Sequence, residues 1–494
     1  MKLWIKKYFL HILLLLILLS VRIITFTEKE ELHPDEVYSL TLAQHNKMYW
    51  VPPVDSTYQG SDLKQMLVTD HSYGEDMYHL WKSNGDIPHA SLYYMCLRTA
   101  LIGYDSYDIS EFALRGFILN SIFFIIAYIL LFNILSLTIR NKHNIVILAT
   151  LALAFGNTMS ISNTLLIREY QLAEVAILLL TFLSIKSFRK IRCAKPISWI
   201  YDILPLSVAI SLTASTGYLN CIYIALLGLS LLIYTICKRQ YLNILKFISS
   251  GILGILIAWG MYLGFFYFLI HDTVHSTNSF SNFGNTIHNI FIRDLFNTYL
   301  GITGLSLFAV TFIIFIILLC RKKAHINIFF VIPIIGLITI TLIQWGSLLK
   351  EPRYGYALIS TISILMAYLL TPTKPLILKR IIAIITLIAY AIVPFFTQPS
   401  QNQYKWKENQ AKLASDMTIY YLNSVQFIYL IPYLSDTAHY HVTKTDIKYE
   451  PNSSVISISE LPSKNLNTTY THLKPTYFVV SNYQPKTSTD LATE

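Results

Sequence analysis

Long apolar runs alternate with short polar connections along most of this chain. The first run covers about residues 8–26. Further runs follow at about 112–138, 145–166, 170–186, 197–216, 218–236, 243–270, 297–320, 326–345, 354–370 and 381–397. An α-helix needs roughly twenty predominantly apolar residues to cross a bilayer. The pattern therefore predicts an all-α polytopic membrane protein with about eleven membrane helices.

Basic residues are concentrated in every second connection between these runs. They lie around 140–142, 186–195, 238–239, 321–323 and 374–380. Cytoplasmic loops carry such an excess of Lys and Arg. We therefore expect a cytoplasmic N-terminus, a first run retained as an anchor, and an extracytoplasmic C-terminus. The compact chain shows no endoplasmic-reticulum retrieval signal, so the expected location is a bacterial inner membrane.

Three polar regions are predicted on the outer side. The first, at 27–111, carries scattered aromatic residues, as helices lying on a membrane surface do. The second is the loop at about 271–297, and the third is everything after residue 398. The pattern predicts a transmembrane module over 1–398 and a small extracytoplasmic α/β domain over 399–494.

The α/β prediction for the last region comes from its apolar pattern. A helix-like stretch around 404–422 is followed by short apolar runs at 426–431, 454–458 and 477–480. Turn-forming residues separate these runs, as they separate strands.

Composition agrees with a membrane protein, since 54% of the residues are hydrophobic and 13% are charged. Much of the net charge of +10 lies in the predicted cytoplasmic loops. It therefore indicates topology and contact with anionic membrane lipids, and it gives no case for nucleic acid. The five cysteines are scattered without disulfide or metal-type spacing, which favours a packing role.

An acidic pair, Asp35 and Glu36, directly follows the first run. The predicted topology places both residues on the outer face. Carboxylates beside lipid are costly and mark a functional site by default. A solvated acidic loop is the alternative.

Six short segments occur in a fixed order at predicted outer positions. They are His33-Pro34-Asp35-Glu36, residues 86–94, Ser110 to Arg115, Arg168-Glu169-Tyr170, Arg353-Tyr354 and Lys405-Trp406-Lys407. Together they resemble the motifs of the GT-C glycosyltransferases of the dolichyl-phosphate-mannose–protein mannosyltransferase-like group, which includes bacterial lipid A aminoarabinose transferases. The resemblance implies a GT-C-like bundle that transfers a sugar, with inversion, from a polyprenyl-phosphate donor to a lipid, glycan or protein acceptor.

The chemistry of such a transfer assigns candidate roles. Asp35 is the expected base for the acceptor, and Glu36 would raise the pKa of its neighbour or orient the acceptor. Arg353 is the best candidate for binding the leaving phosphate, because a guanidinium offers paired donors; Arg168 and Arg115 are the further candidates. Snorkelling at the interface is the alternative for each arginine.

The resemblance also implies roles in substrate binding for four residues: His33, His89, Tyr93 and Tyr354. The chain departs from the family at Pro88-His89, where a double proline is usual. It also departs at Thr216-Gly217-Tyr218, where the family often has Thr-His-Tyr, and at Gly355-Tyr356, where it usually has a nearby proline. These departures bear on substrate identity more than on reaction type.

No cofactor is expected. A divalent metal held by Asp35 and a nearby histidine is the alternative, although His439-x-His441 is the only ligand-like spacing. A lipid or glycan transporter or flippase is a competing class, but the runs are nearly free of Asp, Glu and Lys, and no paired broken segments recur. A polysaccharide polymerase or ligase would place its key residues in a large late loop. The glycosyltransferase hypothesis predicts that Asp35, Arg168 and Arg353 converge on one outer cavity.

Overall fold

The computed structural model divides the chain into two units, which we describe separately. The membrane unit contains residues 1–28, 84–96 and 116–402, and the sheet unit contains 29–83, 97–115 and 403–494. The structure describes residues 2–29, 32–45, 55–69, 71–83, 91–104, 108–139, 144–267, 269, 300–321, 327–346, 352–372, 376–397, 416–421, 427–428, 430–443, 455–458, 469–474 and 477–481.

Helices account for nearly all of the described residues of the membrane unit. In chain order the α-helices of the described residues are α1 (Lys2–Thr27), α2 (Pro34–His45), α3 (Gly60–Gln65), α4 (Tyr73–Ser83), α5 (Ser91–Ala100), α6 (Ile109–Thr138), α7 (Asn144–Phe155), α8 (Thr158–Leu165), α9 (Tyr170–Arg192), α10 (Leu204–Ala214), α11 (Cys221–Cys237), α12 (Tyr241–Met261), α13 (Gly301–Cys320), α14 (Ile328–Gly346), α15 (Ile359–Leu370) and α16 (Leu376–Leu387). A 3₁₀ segment, Pro352–Leu358, leads into α15.

Nine helices in the described part of the chain are long and apolar enough to cross a membrane, and α7 with α8 makes a tenth if the bent pair is one span. The protein is therefore a helical, multi-pass integral membrane protein. The predicted fifth run corresponds to a shorter apolar helix, Trp199–Ala214. The total of eleven spans requires this segment to cross as well, and it stays a prediction.

The third predicted span is broken in the middle. Helices α7 and α8 meet at a bend of 57°. At the break, a Cβ on Gly156 would lie 1.7 Å from the Tyr390 carbonyl oxygen, so only glycine allows the backbones to approach this closely. Asn157 then caps α8, because its Oδ1 accepts a hydrogen bond from the Ser160 N–H at 2.9 Å.

The segment Pro352–Leu370 lies at the centre of the membrane unit. It is 89% buried within the protein, whereas Gly301–Cys320 is 17% buried. An apolar helix exposed on most of its surface needs lipid around it, so α13 lies at the periphery of the unit. The central segment carries Arg353 and Tyr354 at its start.

A mixed six-stranded sheet organises the sheet unit. Its strands are β1 (Ser56–Gln59), β2 (Met417–Tyr421), β3 (His439–Thr443), β4 (Val455–Ile458), β5 (Thr469–Lys474) and β6 (Tyr477–Ser481), in the order β1-β3-β2-β4-β6-β5. β2 runs parallel to β3 and β4, and the other pairs are antiparallel.

The sheet unit differs from the predicted 399–494 domain in one respect. β1 comes from the first polar region and pairs with β3, where Ser56 is opposite Val442. The pairing continues past the strand ends, since the Asp55 N–H donates to the Val442 carbonyl at 2.7 Å. Residues 29–83 and 97–115 therefore share a unit with the C-terminal region.

Candidate functional site

Two groups of predicted site residues lie in the described structure, one in each unit. The first is the acidic motif in the sheet unit. The second is an arginine–tyrosine cluster in the membrane unit, which we define as Tyr94, Arg168, Glu169, Tyr170, Arg353 and Tyr354.

Helix capping fixes the acidic motif at the start of α2. The Asp35 N–H donates to His33 Nδ1 at 3.0 Å, and the His33 N–H donates to Glu36 Oε2 at 2.6 Å. His33 thus caps the first turn through its ring, Glu36 caps the His33 N–H in return, and proline is favoured at the first helical position that Pro34 occupies. The order His-Pro-Asp-Glu is therefore also a helix-start signal.

The two carboxylates have different surroundings. The Glu36 side chain is fully buried and its Oε1 lies 2.5 Å from Lys29 Nζ, whose side chain is 2% exposed. The Asp35 side chain is 17% exposed, and its Oδ2 lies 3.6 Å from His33 Nδ1. Because Glu36 is held by a buried ion pair and a cap, Asp35 is the carboxylate of the pair that an incoming molecule can reach.

The capping bond also determines the tautomer of His33. Since Nδ1 accepts the Asp35 N–H, the proton of the neutral ring is on Nε2. The 3.6 Å approach of Nδ1 to the Asp35 carboxylate becomes an ion pair only when the ring is protonated. His33 thus contributes to the backbone geometry of Asp35 as well as to its charge environment.

A buried tyrosine from the C-terminal region holds the residue before the motif. The Leu32 N–H donates to the Tyr433 hydroxyl oxygen at 3.0 Å, and both residues are buried. Within the sheet unit, the C-terminal region therefore supports the acidic motif through a direct hydrogen bond.

The arginine–tyrosine cluster begins at the N-terminal end of α9. Arg168 is buried, and its Nε lies 3.3 Å from Glu169 Oε2. The Tyr94 hydroxyl donates to the same carboxylate oxygen at 3.1 Å. Burial raises the pKa of Tyr94 well above its usual value, although the positive charge of Arg168 opposes this shift. Tyr94 therefore stays a neutral donor at physiological pH.

Arg353 and Tyr354 join the same cluster from the 3₁₀ segment. The Tyr354 ring packs edge-to-face against Tyr170, with ring centroids 6.5 Å apart. The charges of Arg168 and Arg353 both act on the Tyr170 hydroxyl. The cluster thus brings two guanidinium groups near one tyrosine, and guanidinium groups are suited to bind an anion through paired donors.

The remaining predicted residues lie elsewhere or outside the described residues. Arg115 pairs with Glu111 at 2.5 Å and donates to the Ile102 carbonyl at 2.6 Å, so its guanidinium ties α6 to the end of α5. His89 lies outside the described residues, as do the loop at 271–297 and the segment 405–407.

Tyr93 supports the arginine–tyrosine cluster indirectly, through a chain of hydrogen bonds. It is fully buried, and its hydroxyl donates to Asn120 Oδ1 at 3.2 Å. Asn120 in turn donates to the carbonyls of Thr164 and Leu166, at 3.2 and 2.8 Å. These bonds fix the backbone that leads directly into Arg168. Tyr93 therefore has a positioning role in the structure, and its contact with substrate stays a prediction.

Sequence reasoning missed a buried charged network in the membrane unit. Arg22 in α1 is fully buried, with its guanidinium carbon 3.8 Å from the centroid of the Phe124 ring. It donates to the Phe155 carbonyl at 2.8 Å, the Ser160 hydroxyl at 2.9 Å and the Thr164 hydroxyl at 2.9 Å. Arg22 therefore satisfies a carbonyl at the end of α7, where the break in the helix removes its usual partner.

The network continues to a buried carboxylate in α9. Thr164 donates to Gln171 Oε1 at 2.8 Å, and Gln171 Nε2 donates to Glu174 Oε2 at 2.6 Å. Glu174 is 1% exposed. Charged residues inside apolar runs were the available signal for both Arg22 and Glu174.

The described residues contain no group of three or more His, Cys, Asp or Glu side chains placed to hold a metal. His439 and His441 lie on the same exposed face of β3, as strand alternation predicts. His439 faces Asp416, and His441 faces Thr57.

No protein-family model and no curated protein sequence matches this chain. The resemblance to the GT-C group therefore depends on the six motif segments alone, and membership of that group stays a prediction.

Proposed function

We propose that this protein is a GT-C-like membrane glycosyltransferase. It moves a sugar, with inversion, from a polyprenyl-phosphate-linked donor to a lipid, glycan or protein acceptor on the outer face of the membrane. The observation that supports this most is the arginine–tyrosine cluster. It gathers two arginines, Arg168 and Arg353, from segments far apart in sequence, and guanidinium groups suit the binding of a phosphate.

In the proposed reaction, Asp35 accepts the proton of the acceptor hydroxyl as that oxygen attacks the anomeric carbon of the donor sugar. The bond between this carbon and the phosphate oxygen breaks, and polyprenyl phosphate leaves with the electron pair. Arg353 and Arg168 stabilise the negative charge on the departing phosphate. The exposed fraction of Asp35 and the buried ion pair of Glu36 support giving the base role to Asp35.

The proposal includes a topology. The short helix Trp199–Ala214 crosses as one of eleven spans, the N-terminus is cytoplasmic, and the sheet unit is extracytoplasmic with an α/β C-terminal region. A bacterial inner membrane is the proposed location. The bent pair α7 and α8, found among the described residues, keeps a transporter as the second candidate, because broken helices line transport sites.

Comparative mass spectrometry of envelope glycolipids and glycans tests the function. A deletion strain should lack one sugar modification, and the wild-type gene should restore it. The Asp35→Asn gene, expressed to the same level, should not. If the deletion strain keeps every envelope sugar and instead accumulates an unmodified lipid or glycan on one side of the membrane, the transporter alternative is favoured.

A further inference from the structure

A large cavity lies in the membrane unit at the end of α9 opposite to the arginine–tyrosine cluster. Its volume is about 1060 Å³. Its wall combines the last turns of α6, α9, α11 and α15 with part of α13 and the first turns of α14. Most of its lining is apolar, and it includes five aromatic rings: Phe188, Tyr234, Phe315, Phe329 and Tyr368. The volume is at the upper limit of ordinary ligand pockets, which span roughly 300–1,000 Å³.

Two guanidinium groups belong to the same cavity. Arg189 and Arg192 are three residues apart on the last turns of α9, so they share one helix face. Neither side chain has a hydrogen-bond or ion-pair partner among the described residues. Lys190 between them differs, because its Nζ lies 2.7 and 2.6 Å from the two carboxylate oxygens of Asp202.

The positive charges of Arg189 and Arg192 therefore lie beside an apolar surface in this cavity. The described lining of the cavity contains no carboxylate. The cavity combines an apolar interior with two cationic side chains at the end of a membrane helix, which is the depth of the lipid headgroups. Basic pockets between membrane helices on the cytoplasmic side bind anionic headgroups, and the positive-inside pattern assigns this end of α9 to the cytoplasm.

We propose that this cavity binds an anionic phospholipid. The acyl chains occupy the chamber, and Arg189 and Arg192 bind the phosphate through paired N–H donors. The site is separate from the arginine–tyrosine cluster, because Tyr170 and Arg189 are nineteen residues apart on α9, about 28 Å at the rise of a helix.

Binding of phosphatidylglycerol to the full-length protein, measured by native mass spectrometry in detergent, tests this. Phosphatidylcholine with identical acyl chains is the neutral comparison. We expect phosphatidylglycerol to be retained in preference, and Arg189→Gln/Arg192→Gln to weaken its binding roughly thirtyfold. Lys195→Gln/Arg239→Gln removes two exposed cations at the same end without touching the cavity, so it should bind as the wild type does.

A second variant tests the chamber independently of charge. Ser230 lines the cavity and is partly buried, so Ser230→Phe should fill acyl-chain space and weaken binding of the same lipid. If the double arginine variant fails to fold, lipid binding by Ser230→Phe tests the proposal instead. Excess sn-glycerol 1-phosphate should not displace the lipid, because it lacks the chains.

Three results would overturn the proposal. One is equal retention of phosphatidylglycerol by the arginine variant and its control. Another is equal retention of phosphatidylcholine by the wild type. The third is displacement by glycerol phosphate at matched concentration, which would show a site for a free phosphate.

Discussion

The buried arginine of the first span offers the sharpest test of the fold. Replacing Arg22 with Met keeps a long apolar side chain but removes the donors to the Phe155 carbonyl, Ser160 and Thr164. The two hydroxyls can rotate to other partners, whereas the carbonyl at the end of α7 loses a donor in a dry interior. Glu174 also loses a cation that acts on it.

The size of the effect follows from these losses. Leaving a buried acceptor without its donor costs about 1–3 kcal/mol. We therefore expect Arg22→Met to lower the free energy of unfolding by about that amount. The network from Arg22 through Thr164 and Gln171 to Glu174 also predicts coupling. The double variant Arg22→Met/Glu174→Gln should cost about 0.5–3 kcal/mol less than the sum of the single changes.

Reversible unfolding in mixed micelles, driven by increasing dodecyl sulfate and followed by circular dichroism, measures these differences. Arg239→Met is the matched control, since this exposed arginine should change stability by no more than about 0.5 kcal/mol. Strict additivity of the two network changes, or an Arg22→Met protein as stable as the control, would refute the reasoning.

Further predictions concern the acidic motif and the topology. Asp35→Asn should reduce sugar transfer by roughly two to four orders of magnitude at unchanged thermal stability, because an amide cannot accept the proton; near-normal turnover would move the base elsewhere. Glu36→Gln should reduce transfer less but lower stability, because it leaves the buried Lys29 ammonium without its carboxylate; an unchanged melting temperature would contradict this. Reporter fusions at Lys190 and Ser463 should give opposite sidedness, and identical sidedness would exclude the proposed topology.

Apolar periodicity predicted the membrane helices well because burial in lipid imposes a simple rule on length and composition. The runs at 112–138 and 326–345 correspond closely to α6 and α14. The run at 145–166 contains a bend that the apolar pattern did not predict. The bend depends on the close approach of Gly156 to Tyr390, which does not change the apolar character of the run. Local chemistry at Gly156-Asn157 was the available signal for it.

In the C-terminal region, the short apolar runs at 454–458 and 477–480 correspond to β4 and β6. The run at 426–431 instead leads into a 3₁₀ turn, Ile431–Tyr433. The helix-like stretch at 404–422 ends in β2, and its residues before 416 lie outside the described structure. β1 was not predictable, because its partner β3 lies nearly four hundred residues later in the chain.

Some features of the candidate site were predictable from local sequence, and others depend on contacts between distant segments. The helix-start signal around Asp35 is local, so the sequence contained it. The expectation that Arg168 and Arg353 converge came only from the family resemblance. The packing of α9 beside the 3₁₀ segment brings both near Tyr170, and no spacing in the sequence encodes that packing. Tyr93 and Asn120 likewise show their supporting role only through contacts distant in sequence.

The central claim is that Arg353 binds the leaving phosphate. The most direct measurement is turnover of a polyprenyl-phosphate sugar by Arg353→Lys in membranes at matched expression. A lysine keeps the charge but loses the planar pair of donors, so transfer should fall clearly, and Arg353→Ala should reduce it further. If Arg353 only anchored the segment at the membrane interface, replacing it with lysine would leave activity almost unchanged. Full activity of the Arg353→Lys enzyme would therefore contradict the account.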